Sequence, residues 1–77
     1  MPETPAEERA RILFGAAIQA HIKDHWARIG RPLNASNLEA AANVDTLRRQ
    51  HGITDAEITA FRQTNKAEFD RLAAIQA

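Results

Sequence analysis

Cysteine and tyrosine are missing from this 77-residue sequence, serine occurs once, and glycine and proline occur three times each. Without cysteine there is no disulfide, no thiolate metal ligand and no thiol nucleophile, which points to an intracellular, cytoplasmic setting. The glycines stand alone at positions 15, 30 and 52, so no glycine-rich phosphate loop is present. Ten Lys and Arg balance ten Asp and Glu. That zero net charge lacks the basic surplus of a protein that lives on phosphate backbones or anionic membranes. No apolar run reaches the roughly 18 residues of a membrane span. Glu3, Glu7 and Glu8 occupy the region where a secretory signal would carry positive charge. A start at Met1 with no tag or linker reads as a complete short frame. Eight of the ten cations are Arg and Ala is the commonest residue, an association with high-GC bacterial or phage genomes.

What the chain does have is helix punctuation. Thr4-Pro5-Ala6-Glu7, Ser36-Asn37-Leu38-Glu39 and Thr54-Asp55-Ala56-Glu57 each place a hydroxyl three residues before a Glu, the pattern of a capping box. Pro5 suits the first helical position, and Ile53 with Ile58 has the spacing of a hydrophobic staple. Gly30 and Gly52 are placed to end helices, and Pro32 prevents continuation of the first. These signals predict an all-α fold, a small three-helix bundle with helices at about 5–29, 37–51 and 55–76. One domain covers residues 1–77. Apolar residues make up 44% of the chain, enough for one modest core that self-association or a partner would reinforce.

Helix one reads as the central element, because apolar residues surround it. Phe14, Ile18, Ile22, Trp26 and Ile29 form one stripe, and Ile12, Ala16, Ala20 and Ala27 form a second. Helix two has a thin apolar face of Leu38, Ala41, Val44 and Leu47, with Asp45 and Arg49 at ion-pair spacing. Helix three carries Ile58, Phe61, Phe69 and Leu72, interrupted at mid-stripe by Asn65. A buried amide there must find a partner or cost about 1–3 kcal/mol, so Asn65 is expected to bond to a histidine, the indole or a carbonyl.

Four functional readings are weighed against the side chains. His21 and His25 lie one helical turn apart, and His51 is the third candidate ligand for a metal. Neither a metalloprotease nor a di-iron pattern accompanies them, and no metal or other cofactor is assigned. Catalysis lacks a nucleophile, with Ser36 taken up as a cap, so the chain is read as non-enzymatic and without a small-molecule substrate. A helix-turn-helix reading of helices two and three would use Arg48, Arg49, Arg62 and Lys66 on DNA. Against it, Arg48 stands where that motif needs a small residue, and Asp55 with Glu57 opens the recognition helix with repelling charge. The leading expectation is a small protein-binding module (adaptor, virion component or stoichiometric inhibitor) that engages another protein or its own copies. Its expected contact residues are Trp26, Arg28, Arg31, Phe61, Asn65 and Phe69. The DNA-binding regulator is the alternative.

Overall fold

The computed structural model describes residues 2–76. Those residues form four helices and no strand: α1 (Pro5–Arg28), α2 (Ala35–Gln50), α3 (Asp55–Thr64) and α4 (Lys66–Gln76). The all-α class holds, but the helix count is four, because the segment expected to be one helix over 55–76 breaks at Asn65.

Two of the three start signals work. Thr4 Oγ1 accepts from the Glu7 N–H at 3.1 Å and Glu7 Oε1 accepts from the Thr4 N–H at 3.3 Å, closing a full capping box. Thr54 Oγ1 accepts from the Glu57 N–H at 3.2 Å. The Glu57 carboxylate instead accepts both guanidinium arms of Arg9, at 2.5 and 2.8 Å, and so ties α3 to α1. The second signal is displaced: α2 is capped by Asn34, whose Oδ1 accepts from the Asn37 N–H at 2.8 Å. Asn caps as well as Ser does, and starting two residues earlier lengthens the helix. Ser36 is therefore an exposed first-turn residue and not a cap.

Both predicted glycine stops operate, and in the same way. Gly30 and Gly52 have φ of +72° and +67°, the left-handed conformation that glycine adopts without strain. Arg31 N–H donates to the Trp26 carbonyl at 2.8 Å, and Ile53 N–H donates to the Arg48 carbonyl at 3.0 Å. These six-to-one bonds satisfy the orphan carbonyls at the ends of α1 and α2.

The break at Asn65 has a different cause, since neither glycine nor proline is near. Asn65 Nδ2 donates to the Phe61 carbonyl at 2.9 Å, the same oxygen that accepts the Asn65 backbone N–H at 3.1 Å. An amide that competes with the helical ladder in this way bends the chain. Phe69 N–H then donates to the Asn65 carbonyl at 3.0 Å, and helix resumes. The expected carbonyl partner of Asn65 is thus in its own helix.

At 1.5 Å per residue the 24 residues of α1 span about 36 Å, so α1 alone accounts for the 38 Å long dimension. It is the central element: α2, α3 and α4 all pack on it, and α2 reaches α3 through the Arg48–Asp55 ion pair. Buried residues of α1 accordingly lie on several faces: Ile12, Ala16, Ala17, His21, Ile22 and Trp26. Ile53, Ile58 and Phe69 join the first three in one cluster, while Ile22, Trp26 and Ala73 make a second. The staple pair Ile53 and Ile58 is buried as its spacing implies. Phe14 and Ile29, expected in the buried stripe, are 39% and 54% exposed because they lie at its edge and at the helix end. On α2 no residue is buried, and Leu38 and Leu47, expected to face inward, are exposed.

Candidate functional site

The densest polar cluster sits where α1 meets the α3–α4 joint. α1 supplies His21 and, three residues on, Asp24. The last turn of α3 supplies Arg62, and α4 supplies Lys66 and Asp70 one turn apart. His21 is buried, beside the Phe69 ring at 5.8 Å between centroids. Its Nε2 lies 2.5 Å from Asp70 Oδ1, and its Nδ1 lies 3.3 Å from both Nε and Nη2 of Arg62. A guanidinium can only donate, so Nδ1 accepts, and the ring proton sits on Nε2 and is donated to Asp70. Arg62 Nη2 also donates to Asp24 Oδ2 at 2.6 Å, and Lys66 Nζ donates to Asp70 Oδ2 at 2.6 Å.

The Lys66 ammonium and then the His21 ring hold the Asp70 carboxyl well below its ordinary 3.8, at about 2. A carboxyl depressed in this way stabilises the fold fully above its ordinary value, and the contribution is lost as pH falls through the folded-state value. Thermal midpoints of the wild type and Asp70→Asn should therefore differ by a constant amount above pH 3.8 and converge as pH drops to about 2. Melting curves followed by circular dichroism read this directly. Midpoints that stay parallel to pH 2 would remove Asp70 as the cause.

An open cleft of about 210 Å3 lies against this cluster, lined by His21, Arg28, Thr59, Arg62, Gln63 and Lys66. A second cleft of about 320 Å3 runs between α1, α2 and the start of α3, over a floor that includes Ala16, Val44 and Ile58. Arg48 closes one side of it. It ion-pairs with Asp45 at 3.0 Å and Asp55 at 3.1 Å and donates to the Ile53 carbonyl at 3.1 Å.

The sequence-predicted residues divide clearly. Trp26 and Phe69 are not surface anchors: both are buried, and the indole Nε1 faces the Ala73 carbonyl at 3.5 Å. Trp26 is covered from α4, through Ala73, and Phe69 from α1 and α3, through Phe14, His21 and Phe61. Phe61 and Asn65 are half-buried, while Arg28 and Arg31 are exposed, with the Arg31 guanidinium 4.8 Å from the Trp26 ring centroid. Arg49 pairs with Asp45 at 3.1 Å, as the four-residue spacing implies. Arg48, Arg49, Arg62 and Lys66 do not converge on one face: two belong to α2 and two to the α3–α4 joint, and each is paired with a carboxylate.

The three histidines are not brought together either. α2 runs antiparallel to α1, so His51 lies 3.7 Å from Glu8, thirteen residues or roughly 20 Å of helix from His21. Among the described residues no three potential metal ligands cluster. Asp70 is the site residue that composition and stripes do not reveal. The one signal for it was its i,i+4 spacing from Lys66.

The fold and site define a small all-helical domain with a polar cluster at a helix break. No family model, curated protein or solved structure matches the chain.

Proposed function

We propose that this chain is a small non-enzymatic helical module that binds protein, with α2 as its contact element. The observation that carries this is the state of α2: it packs chiefly on α1, buries none of its residues, and leaves Leu38 56% and Leu47 38% exposed. Exposed leucines on both flanks of one helix are apolar surface that a protein contact would remove from water, at about 25 cal/mol per Å2. Leu38 and Leu47 are nine residues apart, half a rotation around the helix, so each reports on a different flank. An adaptor, a virion component or a stoichiometric inhibitor of phage or bacterial origin would use such a surface in the cytoplasm. A DNA-binding regulator is the less supported reading, because its four candidate cations are split between α2 and the α3–α4 joint and make no continuous basic stripe.

A second copy of the chain is the partner to test first. Light scattering is expected to give a mass above the 8.5 kDa monomer that rises with concentration. Leu38→Glu or Leu47→Glu should restore 8.5 kDa with helicity unchanged, and the effective variant identifies the flank. A constant 8.5 kDa for the wild type to about 1 mM would exclude self-association as the use of this surface.

A further inference from the structure

The cleft beside His21 gathers hydrogen-bond donors that the fold engages only in part. Arg28, Arg62 and Lys66 line it together with the Thr59 hydroxyl and the Gln63 amide, and no carboxylate is among its lining residues. Asp24 and Asp70, which pair with Arg62 and Lys66, are not part of that lining. Their pairing holds the two cations in place without using them up. Arg62 engages Nε and Nη2, which leaves Nη1 without a partner among the described residues. Lys66 gives one of its three N–H donors to Asp70. Arg28 has neither a hydrogen bond nor an ion pair among the described residues, so its whole fork of donors is available. Three cations (Arg28, Arg62, Lys66) against two carboxylates (Asp24, Asp70) leave the site one positive charge in excess.

We infer that this cleft is a binding site for a phosphate group, presented either as free phosphate or as a small phosphomonoester. A tetrahedral dianion fits the observation better than a single carboxylate, because it accepts from several directions at once while two guanidinium groups and an ammonium line one open cleft. A nucleic-acid backbone calls for a stripe of cations, and here the remaining candidates, Arg48 and Arg49, stand on α2, outside this cleft. His21 acts as a positioning residue. Its acceptor Nδ1 holds the Arg62 guanidinium, and its Nε2–H is anchored on Asp70, so the fork is oriented before any anion arrives. The site does not depend on α2 and stands or falls separately from the protein-binding reading.

Titration of the full chain with inorganic phosphate, at constant ionic strength set by sodium chloride and followed by amide NMR shifts, tests it. Saturable shifts are expected around residues 21–28 and 59–66, with a dissociation constant on the order of 1 mM. Arg28→Gln should weaken binding at least about ten-fold while lowering the phosphate-free melting midpoint only slightly, since Arg28 is exposed and its one contribution to the fold is a cation in the last turn of α1. Arg71→Gln, an exposed arginine elsewhere on α4, should titrate like the wild type. Phosphoserine binding more tightly than inorganic phosphate would assign the site to organic esters, and equal binding would assign it to the free ion. Two results overturn the inference: no saturation by about 20 mM phosphate, or the same titration for the wild type and Arg28→Gln.

Discussion

Phe69→Ala should destabilise the fold by about 3–5 kcal/mol, the cost of removing a fully buried phenyl ring and leaving its cavity. Phe69 has no solvent exposure, and its ring meets Phe14 at 5.4 Å, Phe61 at 5.7 Å and His21 at 5.8 Å between centroids. It is the residue through which α1, α3 and α4 touch in one place. At roughly 0.05–0.15 kcal/mol per residue a chain of this length holds only about 4–12 kcal/mol in total, so the loss is about a quarter of it or more. In a thermal melt that corresponds to a fall of about 12–40 °C, or to a transition too broad to fit. Phe14→Ala, which truncates a ring 39% exposed in the same aromatic group, should cost less than half as much. A fall below about 5 °C for Phe69→Ala would mean that the core does not pass through this ring.

Trp26→Ala is the second large effect, also about 3–5 kcal/mol. The indole is 2% exposed, packs with Ile22 and Ala73, and has Leu33 from the α1–α2 connector against the same cluster. Removing it opens the second core cluster and takes away the aromatic face beneath Arg31. Trp26→Phe should recover more than half of the loss, since it restores most of the volume and gives up a long 3.5 Å bond to the Ala73 carbonyl. Urea denaturation read by far-ultraviolet dichroism separates the two variants. Because Trp26 is buried, any effect of Trp26→Ala on association should appear only where the fold is already lost. A folded Trp26→Ala with weakened association would return this residue to the contact surface.

The helix ends were largely readable because they are local. A Thr at the cap, a Glu three residues later and a glycine past the last turn act within six residues, and Thr4, Thr54, Gly30 and Gly52 all behave as their spacing implies. Where two polar residues compete for one cap, local chemistry does not choose: Asn34 and Ser36 are near equals, and the longer helix wins. The break at Asn65 was visible as an oddity but not as a break, because its bond to the Phe61 carbonyl is one of several an amide could make. The site was harder still. Lys66 and Asp70 announce themselves by spacing, but His21 and Asp70 are separated by 49 residues and meet only because α4 packs against α1. Burial followed the same division. An apolar girdle identified α1 as central, yet which stripe would be covered depended on where three other helices came to rest, and Trp26 and Phe69 went inside.

The cations of this chain are mostly neutralised a few ångströms from where they stand: Arg9 by Glu57, Arg11 by Glu3, Arg48 by Asp55, Arg62 by Asp24, Lys66 by Asp70. Charges paired this closely cancel as seen from a distance, and beyond a Debye length of about 8 Å little field remains to be felt. A large partner approaching such a surface is neither drawn in nor turned to the correct orientation by long-range attraction. Its encounter rate belongs to the unsteered regime of about 10⁵–10⁶ M⁻¹s⁻¹, nearly indifferent to salt. For the protein contact proposed at α2, the lifetime of the complex would then have to come from how slowly the fitted surfaces separate, with shape, and not charge, selecting the partner.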